Sequence, residues 1–208
     1  MRKIDLAVWP RRTHYDFYKN YDMPHFSLTA NIDVTKLLQY SKNHQMSFFA
    51  LMLYHVFKIV MEIDEFRTRI RGDEVVLHDV VHPSFTVLSN TNLVMFVPSV
   101  FKENMNEFVK ETQDNIEKAR SGKELVEEYG RDDTIYITTI PWVSFTDMKH
   151  PYDTLHPDSI PRIAWGKYTE QSGVVTMPLS VTVHHALCDG YHVGMYFMKL
   201  QESINQFI

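Results

Sequence analysis

Apolar and polar residues alternate in some runs of this chain and recur at helical spacing in others. Residues 26–33, FSLTANID, alternate over their whole length and predict a strand. Asp33 is then placed to cap a helix beginning near Val34. Residues 47–62 are apolar nearly all round, which predicts a largely buried helix. EFRTRI, RGDE and VVLHDVV read as a hairpin turning at Gly72-Asp73, and 84–99 supply one or two further strands. Residues 103–121 form a charged amphipathic helix with Phe108, Ile116 and Ala119 facing inward. Strands return at 134–145, 162–170 and 174–185, with Gln171-Ser172-Gly173 as a hairpin turn. A last helix spans Tyr191 to Phe207, with Val193, Phe197, Leu200, Ile204 and Phe207 on one face. The alternation of strands and helices predicts an α/β chain, an α+β two-layer sandwich in which helices cover a mixed β-sheet. No repeat, low-complexity stretch or linker interrupts it, so residues 1–208 are expected to form one domain.

Composition narrows the function classes. At 44% hydrophobic and 23% charged residues, the chain is an ordinary globular protein. A net charge of -5 argues against a general nucleic-acid binder. The single cysteine, Cys188, rules out an intrachain disulfide and fits a reducing cytoplasm. The start, MRKIDLAVWPRRTHYDF, is too polar for a signal peptide. The longest apolar run, Phe48 to Ile63, holds His55, Lys58 and Glu62 and falls short of the roughly 20 apolar residues of a membrane span. A soluble, cytoplasmic protein is expected.

The densest chemistry lies in VHHALCDGYHVG, residues 183–194. Val175, Met177, Leu179, Val181 and Val183 share one parity, and His185 falls on it; His184 points to the opposite face. His185 is then either a core histidine satisfied by a carbonyl, or a neutral imidazole whose bare nitrogen can take a proton from an alcohol. Asp189 reads locally as a helix N-cap, or as the partner of an arginine that fixes the turn, with Gly190 easing the bend. Metal ligation is disfavoured, because adjacent strand residues face apart. Cys188 reads as a structural thiol.

The longer pattern His-His-Ala-x-Cys-Asp-Gly-x-His-Val resembles the signature of the chloramphenicol acetyltransferase family. WPRRTHYDFY, FSLTANID, GDEVVLHDVVHPSFTV, PWVSFTD, WGKY and MPLSVTVHHALCDGYHVG agree in order, so the likeness spans essentially the whole chain. The resemblance implies a CoA-dependent acyltransferase fold and transfer of acetyl from acetyl-CoA to an acceptor hydroxyl. It implies a homotrimer with active sites between subunits, and no metal. His185 would be the general base, and the Arg11–Asp189 pair would be its structural support. Phe17, Tyr18 and Phe26 match residues that line the acceptor pocket; Lys167 and Tyr168 match residues near coenzyme A.

The chain departs from that family at two chemical positions. Asp147 stands where the family carries a serine that donates to the oxyanion, and an ionised carboxylate donates nothing. Ala164 stands where the family has a threonine that holds a water. Asp22, Met23, Pro24 and His25 also replace a more apolar stretch. Burial could turn Asp147 into a donor, Ser144 or Thr146 could replace it, or the acceptor could be a different one, such as a basic molecule that Asp147 or Asp22 would attract. A non-catalytic binding protein on the same fold is the rival expectation.

Overall fold

The computed structural model describes residues 1–121, 130–153 and 158–206. Two short elements come first, β1 (Arg2–Lys3) and α1 (Arg12–Tyr18), too brief for any periodicity to announce them. β2 (His25–Asp33) follows, then α2 (Thr35–His44). Asp33 does cap α2, from one position further out than expected. Its Oδ1 accepts from the Thr35 backbone N–H at 2.9 Å and from the Thr35 hydroxyl at 2.6 Å. α3 (Phe48–Val60) starts where the Ser47 side chain accepts from the Ala50 N–H, and nine of its thirteen residues are buried. α4 (Asp64–Arg67) replaces the first half of the expected hairpin strand. β3 (Thr68–Arg71) and β4 (Glu74–Leu77) then turn at Gly72-Asp73, where Gly72 has φ +58°. With β1 they form a small sheet in the order β1-β4-β3.

β5 (His82–Leu88), β6 (Val94–Pro98), α5 (Met105–Arg120), β7 (Thr134–Ile140), β8 (Arg162–Gly166), β9 (Thr169–Gln171), β10 (Val174–His184) and α6 (Gly190–Asn205) complete the chain. The main sheet runs β2-β10-β8-β7-β5-β6, with β9 also on β10. β7 lies parallel to both β5 and β8, and the other pairs are antiparallel, so the sheet is mixed as expected. The expected strand 134–145 stops at Ile140, and the expected strand 162–170 is two strands separated by Lys167 and Tyr168. Ser172 and Gly173 form the two-residue turn between β9 and β10, both at positive φ, as a tight hairpin of that hand requires. Phe207 lies outside the described residues.

Helices α2, α3, α5 and α6 pack on one side of the sheet. That side of β10 carries Val175, Met177, Leu179, Val181 and Val183, all buried. The other side carries Ser180, Thr182 and His184, and these are buried too. Alternation would have left them in water. They are covered because the segment after β7 folds back across this face. Tyr152 stacks on His25 at 4.2 Å and lies over the Arg162 guanidinium at 4.0 Å. Arg162 in turn binds Asp158 with both terminal nitrogens in reach.

One cation sits in the core without a carboxylate on it. Arg69 on β3 is fully buried and donates to the carbonyls of Phe66, Thr68, Asp132 and Thr134 at 2.8–2.9 Å. Burial lowers its pKa to about 10. The fork ties α4 and β3 to the entrance of β7. Arg69→Met would strand those four carbonyls, and a loss of roughly 3–5 kcal/mol is expected in urea unfolding. An unchanged midpoint would show that the carbonyls find other donors.

Four histidines, at 25, 55, 150 and 184, are held by burial at pKa values of about 4. Below the unfolded value of 6.5 the unfolded chain takes up protons that the folded chain refuses. Stability is therefore full above about pH 6.5 and falls progressively toward about pH 4. Urea midpoints measured at pH 7.5, 6 and 5 should decrease in that order, and equal midpoints would contradict the burial of these rings.

Candidate active site

β10 ends one residue earlier than alternation predicts, at His184. The chain then turns tightly. The His184 carbonyl accepts from the backbone N–H groups of Leu187 and Cys188 at 3.0 Å each, and His184 Nδ1 accepts from the Ala186 N–H at 3.2 Å. The His185 N–H donates to the Pro24 carbonyl at 2.8 Å, which fastens the turn to the start of β2. Cys188 is sealed inside, and burial pushes its thiol far above the usual range, so it is no nucleophile. Gly190 does not sit at positive φ, and a Cβ there would meet nothing. The expected glycine requirement is absent.

The two histidines have separate fates. His184 is buried on the helix-free face, edge to face with His25 at 5.0 Å. His185 is half-buried and leaves the sheet toward α1. Its ring stacks on Tyr18 with centroids 4.0 Å apart and planes 6° from parallel. Phe26 packs on it at 4.7 Å. Nδ1 of His185 is buried with no hydrogen-bond partner among the described residues, so no backbone carbonyl there satisfies it as a core histidine would need. Nε2 is not enclosed in this way and also has no partner among the described residues. The ring is held by apolar packing, and of its two unengaged nitrogens Nε2 is the one that is not enclosed.

Asp189 does both jobs that its position allowed. Its Oδ1 accepts from the Tyr191 N–H at 3.0 Å and so caps α6. Its Oδ2 accepts from Arg11 Nη1 at 2.7 Å. The side chains are 30% and 12% exposed, so the pair is shielded but not sealed. Burial works to raise the Asp189 pKa, but the Arg11 hydrogen bond and the nearby His192 outweigh it and hold the carboxyl below its ordinary range. Arg11 is itself the residue that precedes α1, the helix that carries Tyr18.

The other predicted residues do not join this group within one chain. Phe17 points outward and is exposed, against Tyr18 and Tyr21. Lys167 and Tyr168 lie between β8 and β9, level with the start of β10, whereas His185 follows its end. Some eight strand residues separate the two, about 25 Å. The Lys167 N–H donates to the Val143 carbonyl at 2.9 Å. Gly166 makes that approach possible, since a Cβ would come within 2.8 Å of the Val143 oxygen and 3.0 Å of Phe145. Tyr168 leans edge-on against Phe48. Residues 141–147 form a loop, so alternation does not decide where Ser144 points. Asp147 is exposed there and has no hydrogen bond or ion pair among the described residues. Ala164 is fully buried beside Ser180 in the register.

Sequence reasoning missed two neighbours of the turn, His192 and Glu65. His192 stands three residues after Asp189, the capping-box spacing, and its Nδ1 accepts from the Asp189 N–H at 3.2 Å. That spacing was a readable signal. Glu65, 3.3 Å from His192 Nε2, comes from the distant α4 and left none. Among the described residues no group of three or more His, Cys, Asp or Glu could hold a metal ion. No described helix is long and apolar enough to cross a membrane.

Known proteins are similar to this chain along its length. The chain is 31% identical over 205 residues to chloramphenicol acetyltransferase 3 of Escherichia coli, covering 98% of this chain and 96% of that one. It is 29% identical over 209 residues to a chloramphenicol acetyltransferase of Proteus mirabilis, covering 98% and 94%. A solved chloramphenicol acetyltransferase superposes with a TM-score of 0.85 at 23% identity, over 98% of this chain and all of that one. The Azotobacter vinelandii dihydrolipoamide acetyltransferase superposes at 0.72 and 16%, over 93% of this chain and 86% of that one, which shows the same fold. The family model described as chloramphenicol acetyltransferase matches residues 1–201, and the chain belongs to that family.

Proposed function

We propose that this chain transfers an acetyl group from acetyl-CoA to a hydroxyl of a small acceptor, with chloramphenicol as the reference acceptor and His185 as general base. The observation that carries the base is the unengaged Nε2 of a ring locked flat against Tyr18. Nε2 accepts the hydroxyl proton as that oxygen attacks the thioester carbonyl. The tetrahedral intermediate then collapses, the carbon–sulfur bond breaks, and the imidazolium returns its proton to the departing CoA sulfur. No acyl-enzyme is needed. Tyr18 and Phe26, with Phe17 at the rim, line the acceptor side. Lys167 offers a cation to the phosphates of CoA, and Tyr168 an exposed ring.

The separation along β10 supports active sites between subunits. Lys167 and Tyr168 of one chain are too far from its own His185 to hold a thioester against it. A head-to-tail ring of copies would bring the base end of one chain to the coenzyme end of the next, and a closed ring of three is the proposed state. The cell compartment proposed is the cytoplasm, where the single thiol needs no partner.

Asp147 favours a second reading within the same chemistry. Its exposed carboxylate gives no hydrogen to an oxyanion and attracts cations, so a basic acceptor would suit it better than chloramphenicol.

Release of CoA can be followed with a thiol reagent against chloramphenicol and a panel of hydroxyl and amine acceptors. His185→Ala should lower turnover by about 10²–10⁴-fold; wild-type release no higher than that of the variant would overturn the assignment. Asp147→Ser should raise chloramphenicol turnover by up to about 10²-fold. A brisk wild type slowed by that change would refute the view of Asp147 as a missing donor.

Light scattering should give three times the 24.5 kDa chain mass. An active monomer would remove the argument for shared sites.

A further inference from the structure

We propose that Glu65 is a positioning residue for acetyl transfer, acting through His192 on the turn that carries His185. The proposal rests on the reading of His185 as the base. Glu65 is on α4 and His192 on the first turn of α6, 127 positions apart in sequence. Glu65 Oε1 lies 3.3 Å from His192 Nε2. The opposite nitrogen, Nδ1, faces Asp189 alone, 3.2 Å from its backbone N–H and 2.9 Å from its Oδ1. Asp189 in turn holds Arg11. The result is a polar chain from Arg11 through Asp189 and His192 to Glu65, its middle link made by the Asp189 backbone N–H, that grips the residue closing the catalytic turn from two sides.

The contact is built in and not a chance surface pair. The next residue of α4, Phe66, stacks on Tyr196 with centroids 4.9 Å apart and planes 17° from parallel, and both are fully buried. His192 and Tyr196 are four residues apart, hence on one face of α6. Two successive residues of α4 therefore engage one face of α6, one by ring stacking and one by the 3.3 Å approach to His192 Nε2. Burial works to raise the Glu65 pKa, but the His192 hydrogen bond outweighs it, with help from Arg11, and the carboxylate stays ionised.

The division of labour follows from the ring. An imidazole has two nitrogens in fixed opposition. With Nε2–H donated to Glu65, the ring cannot rotate, and Nδ1 stays aimed at Asp189. Without that acceptor the ring loses its orientation, Asp189 loses one of its two supports, and the turn gains freedom. A misplacement of about 1 Å at a reacting group can cost on the order of 10²-fold in rate.

Two variants separate hydrogen bonding from charge and from fold. Glu65→Gln keeps an acceptor oxygen; Glu65→Leu keeps only bulk, and the Phe66–Tyr196 stack maintains the docking of α4. Glu65→Leu should lower kcat by about tenfold or more. KM for acetyl-CoA and for the acceptor should stay within about twofold. Glu65→Gln should recover most of kcat. Nitrogen-15 spectra of the full-length protein should show a slowly exchanging His192 Nε2–H in the wild type and in Glu65→Gln, and its loss in Glu65→Leu. A Glu65→Leu enzyme with wild-type kcat, a Gln variant as impaired as the Leu variant, or an unchanged Nε2–H signal in Glu65→Leu would each overturn the proposal. If the wild type acetylates no acceptor, the functional reading fails by itself, and the His192 spectrum still decides whether Glu65 holds the ring.

Discussion

Two helices of this protein begin at one ion pair. Arg11 precedes α1 and Asp189 precedes α6, and their contact joins positions 178 apart in the chain. The carboxylate is well placed, because it also receives an N–H from the first turn of α6, where the helix dipole favours negative charge. The guanidinium then orients α1. Seven residues is too short a helix to hold itself in water, so its position depends on such a tether and on buried Tyr15. Tyr18 lies at the far end of that helix and makes the flat wall for His185. One polar contact therefore sets the turn that carries the imidazole and the surface against which the imidazole rests.

The sheet supplies the rest of the geometry. β10 is bonded on both edges and covered on both faces, the most constrained strand of the fold. Its helix side is apolar and standard. Its other side buries hydroxyls and imidazoles under a returning loop, and Ser180 Oγ on it, like His25 Nε2 on neighbouring β2, has no partner among the described residues. Such groups cost free energy when left dry and unpaired. They lie on the face that no helix covers; exposed Leu88, Val94 and Phe96 stand further along the sheet, on β5 and β6 beyond β8 and β7.

The sheet, the long helices and the β9–β10 turn were legible because burial follows period, and period is written in the residues. α6 is the clearest case, with Val193, Leu200 and Ile204 buried as their spacing predicts. The failures share a cause. α1, β1 and α4 are too short to show a period, and the strand expected to reach 145 ends at Ile140 because tertiary contacts at Gly166 pull the chain into a loop. At the site, the motif around 183–194 located the turn, and the resemblance supplied the Arg11–Asp189 pairing that the structure then displays. Local pattern could not say which histidine would be sealed. It put His185 on the apolar side, whereas the strand ends first and His184 is the buried one. Glu65 was invisible because its meaning exists only once α4 has docked on α6.

The strand ends between the imidazoles at 184 and 185, so a single backbone step separates an inert ring from one that meets solvent. Insertion or deletion of one residue between 177 and 184 would exchange their places and turn the whole strand inside out. The same change at the Ser172-Gly173 bend leaves the pairing with β2 and β8 untouched. Length variation in lineages carrying this fold should therefore gather at that bend and be absent from the strand it introduces.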